Sequence, residues 1–165
     1  MKRFLIFTIL ILLIACDDGD LQIETLDFDS KAIQNCDAIT VDIANILFKL
    51  NDTEALIVEL PAGSIKNEIS EGAMTYNVST SGPAKVSYRT FSDQVSNAYF
   101  CTNPPVTTPT VIEEIIAQGG SVLITTVLNA DGVTYEHTIE LSEISLVTSH
   151  DTRITDLSIN NVGTV

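Results

Sequence analysis

"SVLITTVLNADGVTYEHTIELSEISLV", Ser121–Val147, decides the fold of this 165-residue chain. Two apolar runs flank Ala130-Asp131-Gly132. Asp-Gly between alternating apolar residues is a strong short-range hairpin signal, because both residue types tolerate the positive φ of a tight turn. The second arm puts Val133, Tyr135, His137, Ile139 and Leu141 on one face. Thr134, Glu136, Thr138 and Glu140 take the other. That alternation is the mark of a half-buried strand. After Leu141 the apolar phase moves to Ile144 and Leu146. A one-residue slip inverts the faces of a strand, so a bulge is expected near Ser142-Glu143.

Working outward, "ITDLSI" (Ile154–Ile159) reads as a further short strand. Upstream, "TPTVIEEIIAQGG" (Thr108–Gly120) reads as a short helix near 110–118. Thr110 stands where a cap would, Glu113 follows three residues on, and Gly119 or Gly120 ends the run. Val111, Ile112, Ile115 and Ile116 then share one helical face. "TNPPVTTPT" (Thr102–Thr110) holds three prolines and is excluded from a central strand. "AMTYNVS" (Ala73–Ser79), "KVSYRTF" (Lys85–Phe91) and "SNAYFC" (Ser96–Cys101) are strand candidates.

Nearer the N-terminus, "CDAITVDIANILFKL" (Cys36–Leu50) alternates Ile39, Val41 and Ile43 against Thr40 and Asp42, then becomes densely apolar. "NDTE" (Asn51–Glu54) interrupts it, and "ALIVEL" (Ala55–Leu60) resumes, a second hairpin. "LQIETLDF" (Leu21–Phe28) fits either a first strand or a tether. The chain is expected to be mainly β: an antiparallel β-sandwich or partly open barrel of seven to nine strands, with one short helix near 110–118. Residues 36–165 form the single domain of this reading, and residues 16–35 an acidic tether.

The first residues, "MKRFLIFTILILLIACDDGD", set the compartment. Phe4–Ala15 is twelve residues long and apolar except for Thr8. A spanning helix needs about 20 such residues. The run instead suits the core of an export signal behind Lys2 and Arg3. Leu13-Ile14-Ala15-Cys16 resembles the lipobox of bacterial lipoproteins, with Ile14 bulkier than the usual residue at its place. The resemblance implies removal of residues 1–15 and acylation of Cys16. Asp17, Asp18 and Asp20 resemble the acidic surface-export signal of Bacteroidetes-type lipoproteins. That implies a lipid anchor in the outer membrane and display at the cell surface. Asp17 alone, read by enterobacterial-type sorting, implies inner-membrane retention, so the periplasmic face of either membrane is the alternative.

With Cys16 acylated, Cys36 and Cys101 remain, and an even pair in an exported chain reads as a disulfide. Two buried free thiols are the alternative. Eight bases, less Lys2 and Arg3, stand against 22 acids, a net −16 for residues 16–165. Nucleic acid, which needs clustered bases, is excluded as a partner. The acidity keeps the domain soluble, and divalent-cation binding is the sharper reading of it. "DDGD" (Asp17–Asp20) and "LDFDS" (Leu26–Ser30) bring carboxylates together, but neither has the spacing of a twelve-residue calcium loop.

No metal site, cofactor or catalytic residue is expected. G-x-S-x-G and S-x-x-K are both absent. His137 lies on an apolar strand face and His150 in the loop sequence "TSHDTR". Carboxylate pairs occur at Glu113-Glu114, Glu136/Glu140 and Asp27/Asp29, the raw material of a glycosidase. There is no tryptophan, and Tyr76, Tyr88, Tyr99 and Tyr135 read as packing residues. The expected function is a non-catalytic binding, accessory or adhesion-type module at the envelope, with a protein or glycan ligand. A carboxylate-based hydrolase and a purely structural envelope protein are the alternatives.

Overall fold

The computed structural model describes residues 25–149, 153–154 and 156–165. The export segment 1–15, Cys16, the cluster Asp17, Asp18 and Asp20, and His150 lie outside the described residues. Two antiparallel sheets face each other as a sandwich and do not close into a barrel. The first contains β2 (Asn45–Asn51), β3 (Glu54–Leu60), β5 (Lys85–Phe91) and β6 (Val111–Ile116), in that order. The second runs β11 (Asn161–Thr164), β8 (Tyr135–Val147), β7 (Gly119–Leu128), β4 (Met74–Asn77), with β9 (Arg153–Ile154) on β8. A parallel pair, β1 (Thr25–Asp27) with β10 (Asp156–Ser158), stands apart.

The β7–β8 hairpin forms as its sequence dictates. Gly132 takes φ 70°, and Asn129 and Thr134 close the loop backbone to backbone. Asp131 accepts from the Thr134 hydroxyl at 2.6 Å and from the amides of Val133 and Thr134. These bonds, the hydroxyl's foremost, hold its carboxyl below the ordinary aspartate range. The expected bulge is present too. Ser121 pairs with Ser142, but Gly119 pairs with Ser145, so β8 carries one extra residue. Glu143 occupies it at φ 55°. Opposite, Gly120 has φ 115°, and a Cβ there would meet the Ile144 Cα at 2.8 Å. Glycine is required on both counts.

Three expectations are corrected. Val111–Ile116 is a strand and not a helix. Its β-branched residues pack well on a pleated surface, and β5 supplies a partner from Phe91 to Ser87. Ala117 donates to Val86 in the first sheet, and Gln118 donates to Ser145 in the second. β6 and β7 are therefore nearly one strand, bent at the corner between sheets. Asn97–Cys101, expected as a strand end, is a short helix, α1. One turn is too brief to show a helical period. The strand expected to open at Ile39 begins at Asn45. The Asn45 side chain accepts from the Thr40 amide and donates to the Thr40 and Ile43 carbonyls, which holds 40–45 as a loop. Of the stretch that fits either a first strand or a tether, Thr25–Asp27 is a paired strand, and Leu26 and Phe28 are fully buried. Eleven strands are present among the described residues. The excess over seven to nine comes from elements of two to four residues, too short to alternate visibly.

The core lies between the sheets. Leu47, Leu56, Val58 and Val86 of the first sheet meet Val122, Ile124, Ile139 and Leu141 of the second in one cluster. A second, smaller cluster covers the outer face of the first sheet, where Phe48, Ala55, Ile57 and Phe91 pack under Val95, Tyr99 and Phe100. The Cys36–Cys101 disulfide forms as expected and ties this cover together across 65 residues of sequence.

Candidate functional site

Of the residues that sequence singled out for chemistry, His137 is the one buried inside the fold among the described residues. His137 on β8 is 5% exposed and shares a 2.9 Å hydrogen bond between its Nδ1 and the Thr126 hydroxyl on β7. Burial pushes its pKa below the ordinary histidine value. A desolvated, hydrogen-bonded imidazole on a core-facing strand position is a packing residue.

Two of the three carboxylate pairs, Glu113-Glu114 and Glu136/Glu140, are not brought together. Glu113 and Glu114 are neighbours on β6 and point to opposite sheet faces, as strand geometry requires. Glu114 bonds the Arg89 guanidinium on the outer face at 2.6 Å. Glu113 falls on the inner row, in register with Thr90, Glu54 and Asn51. There Glu54 accepts from Asn51 at 3.0 Å and from the Tyr88 hydroxyl. Two strand spacings separate Glu54 from Glu113, about 9.6 Å between backbones. Glu136 and Glu140 are exposed on one face of β8, about 14 Å apart along the strand. Among the described residues no group of three or more His, Cys, Asp or Glu side chains is placed to hold a metal ion.

Asp27 and Asp29 lead to the group that sequence reading missed. Lys49 on β2 is 2% exposed, and its Nζ donates to the Asn161 carbonyl at 2.6 Å. The Asn161 amide in turn donates to Asp29 at 2.9 Å. Burial lowers the Lys49 pKa, while Asp29 and then Asp27 oppose that shift. The lysine thus joins the first sheet to β11 across the core. It also places a charge on the inward side of an edge strand, a known guard against edge-to-edge pairing. The available signal was the alternation Leu47, Lys49 inside "NILFKLN", with lysine at a core-facing step.

The described residues form hollows on the surface. One, of about 540 Å³, lies between the β8 bulge and the strands after it, lined by Glu143, Ile144, Arg153, Leu157 and Asn160 among others. Another, about 270 Å³, runs beside the disulfide, between the loop Asn35–Ala44 and Ile46, Phe48 and Phe100.

Among the described residues, β6 carries three of the exposed large apolar side chains. Among the described residues it is the terminal strand of its sheet and pairs with β5 alone. Ile112 is 70% exposed, Val111 39% and Ile116 38%. Alternate residues of such a strand turn their amide and carbonyl groups away from the neighbour, toward whatever lies alongside. What the arrangement offers chemically is a backbone ladder flanked by apolar side chains and two glutamates.

No family model matches the chain, and neither a curated protein nor a solved structure does.

Proposed function

We propose that this chain is a lipid-anchored envelope protein whose β-sandwich binds a partner as a non-catalytic module. The observation that carries the binding reading is the β6 edge, unpaired on one side among the described residues and apolar at Val111, Ile112 and Ile116. Exposed apolar residues on a free strand edge are a liability in a domain without a partner. The Leu13-Ile14-Ala15-Cys16 motif supports the anchor, and the Asp17, Asp18, Asp20 cluster supports display on the outer face of the outer membrane. The Cys36–Cys101 disulfide accords with an oxidising, exported location.

Anchorage also sets a reach. Thr25, the first residue of β1, follows Cys16 by nine residues. Fully extended, that is about 30 Å. The module therefore works close to its own membrane, on a partner in the same envelope layer.

Cross-linking in intact cells, followed by surface proteolysis, tests the reading. The wild-type chain is expected to carry acyl chains by mass, to be cut by external protease, and to recover a specific partner. A Cys16→Ser chain should lose the acyl mass and leave the membrane. Membrane retention of that variant with unchanged mass, or the absence of any cross-linked partner, overturns the proposal. Protection from external protease moves the module to a periplasmic face.

A further inference from the structure

We infer that β6 accepts an additional strand from an extended peptide that pairs antiparallel and reads apolar–apolar–basic–basic–apolar against Ile116 back to Ile112. This rests on the binding reading above and names the chemistry of the partner.

The edge itself selects that occupant. Consider a second copy of this chain first. In each of the three antiparallel registers that overlap β6 most fully, Glu113 or Glu114 faces a glutamate of the other copy. Like charges directly opposite are destabilising. The inward-side Glu113 and the outward-side Glu114 therefore block self-pairing on both faces of the added strand. The same two carboxylates attract a strand that brings basic residues opposite them. Glu114 already shares Arg89, but that bridge is surface-exposed and worth little. On either side of the glutamates the edge is apolar, Ile112 at one end and Ile115 with Ile116 at the other. Ile115 is buried in the core and Ile116 half-exposed, so the partner's two apolar residues meet the rim of the sandwich and its outer face. The register break between Thr90 and Phe91 and the nearby Pro109 end the usable edge at Ile112. This is repulsion against the wrong partner combined with attraction for the right one, delivered by strand addition.

The test uses the full chain in detergent and a fluorescein-labelled peptide Ser-Val-Val-Lys-Lys-Val-Ser, with the two lysines replaced by glutamates as its control. Anisotropy titration is expected to show the lysine peptide binding about tenfold tighter than the control, from two charge pairs. The preference should shrink at high salt. A Glu113→Lys/Glu114→Lys chain should reverse the order of the two peptides. Ile112→Thr, at a 70% exposed position that leaves the fold alone, should weaken the lysine peptide several-fold. Amide shifts in a peptide titration should fall on β6 and β5. Equal binding of both peptides, an order unmoved by the charge reversal, or shifts confined to β2 or β4 overturns the assignment. So does failure of the peptide when cross-linking still recovers a partner, an outcome that leaves the binding reading standing.

Discussion

The two faces of the β2–β3–β5–β6 sheet are covered by different means. The inner face meets another sheet, and its core is aliphatic: leucines, isoleucines and valines from seven or more strands interdigitate. Among the described residues the outer face meets the 34–44 segment, the short helix α1 and the chain just before it. There the packing is aromatic. Phe48 stacks on Phe100 at 4.3 Å, and Phe91 meets Tyr99 edge-on at 4.9 Å. The single ring pair on the inner side, Phe28 with Tyr88, is 6.3 Å apart. The difference teaches how a thin cover is kept in place. A sheet brings its own ladder of hydrogen bonds, whereas a loop and one helical turn bring almost none. Large rings give the cover area per residue, one bridge between Gln34 and Phe48 fixes its register, and the disulfide prevents its escape.

The comparison breaks most severely from inside. Leu56→Ala together with Ile139→Ala opens a cavity on each sheet of the inner core. At about 2–5 kcal/mol each, the pair approaches the whole stability of a domain this size. The double variant should fail to give a cooperative thermal transition by circular dichroism. Replacing Cys36 and Cys101 by alanine should cost about 4 kcal/mol in the chain-entropy picture. Its local effect should fall on one face: hydrogen exchange should quicken most at Phe48, Tyr99 and Thr102, and across β7 and β8 by no more than the loss of global stability. Uniform acceleration would erase the distinction between the faces.

Smaller changes sharpen it. Gly120→Ala forces a Cβ against the Ile144 backbone at a positive φ, and should cost about 1–3 kcal/mol by thermal melt. Lys49→Met trades a buried ammonium for a methyl but strands the Asn161 carbonyl. The two effects oppose each other, and the net change at neutral pH should stay within about 1 kcal/mol. Its pH signature is cleaner. The folded pKa of Lys49 lies below its unfolded value of 10.5, so between the two the unfolded chain holds the extra proton. Wild-type stability should gain a contribution as pH rises through that window, and the methionine variant should lack it. His137 behaves likewise lower on the scale, because its folded pKa is depressed from 6.5. Denaturation midpoints should fall as pH drops from 6.5 toward that depressed value, and His137→Gln should flatten this limb.

Legibility followed the same division between what is local and what is not. The β7–β8 hairpin, the phase flip at Ser142-Glu143 and the Ala55–Leu60 strand were readable, since each is written in a few adjacent residues. Cys36 with Cys101 was expected only once Cys16 was set aside as the residue of the lipobox-like motif. Val111–Ile116 was not. Its apolar residues sit at 111, 112, 115 and 116, a spacing that suits one helical face and equally an edge strand with both faces partly covered. The exposed β6 edge was hidden by that ambiguity, and so was the site it offers. Lys49 was hidden for another reason: nothing near it in sequence reveals that the Asn161 carbonyl, 112 residues away, accepts its hydrogen bond.

By itself the sequence determined that this protein is an antiparallel β domain, because period-two alternation and turn residues act over short distances. Only the tertiary structure decided which strands became edges, which face of the first sheet needed a second cover, and where a lysine had to be buried. Those outcomes depend on which distant strands pair, and pairing energy is shared between partners that the order along the chain does not bring together.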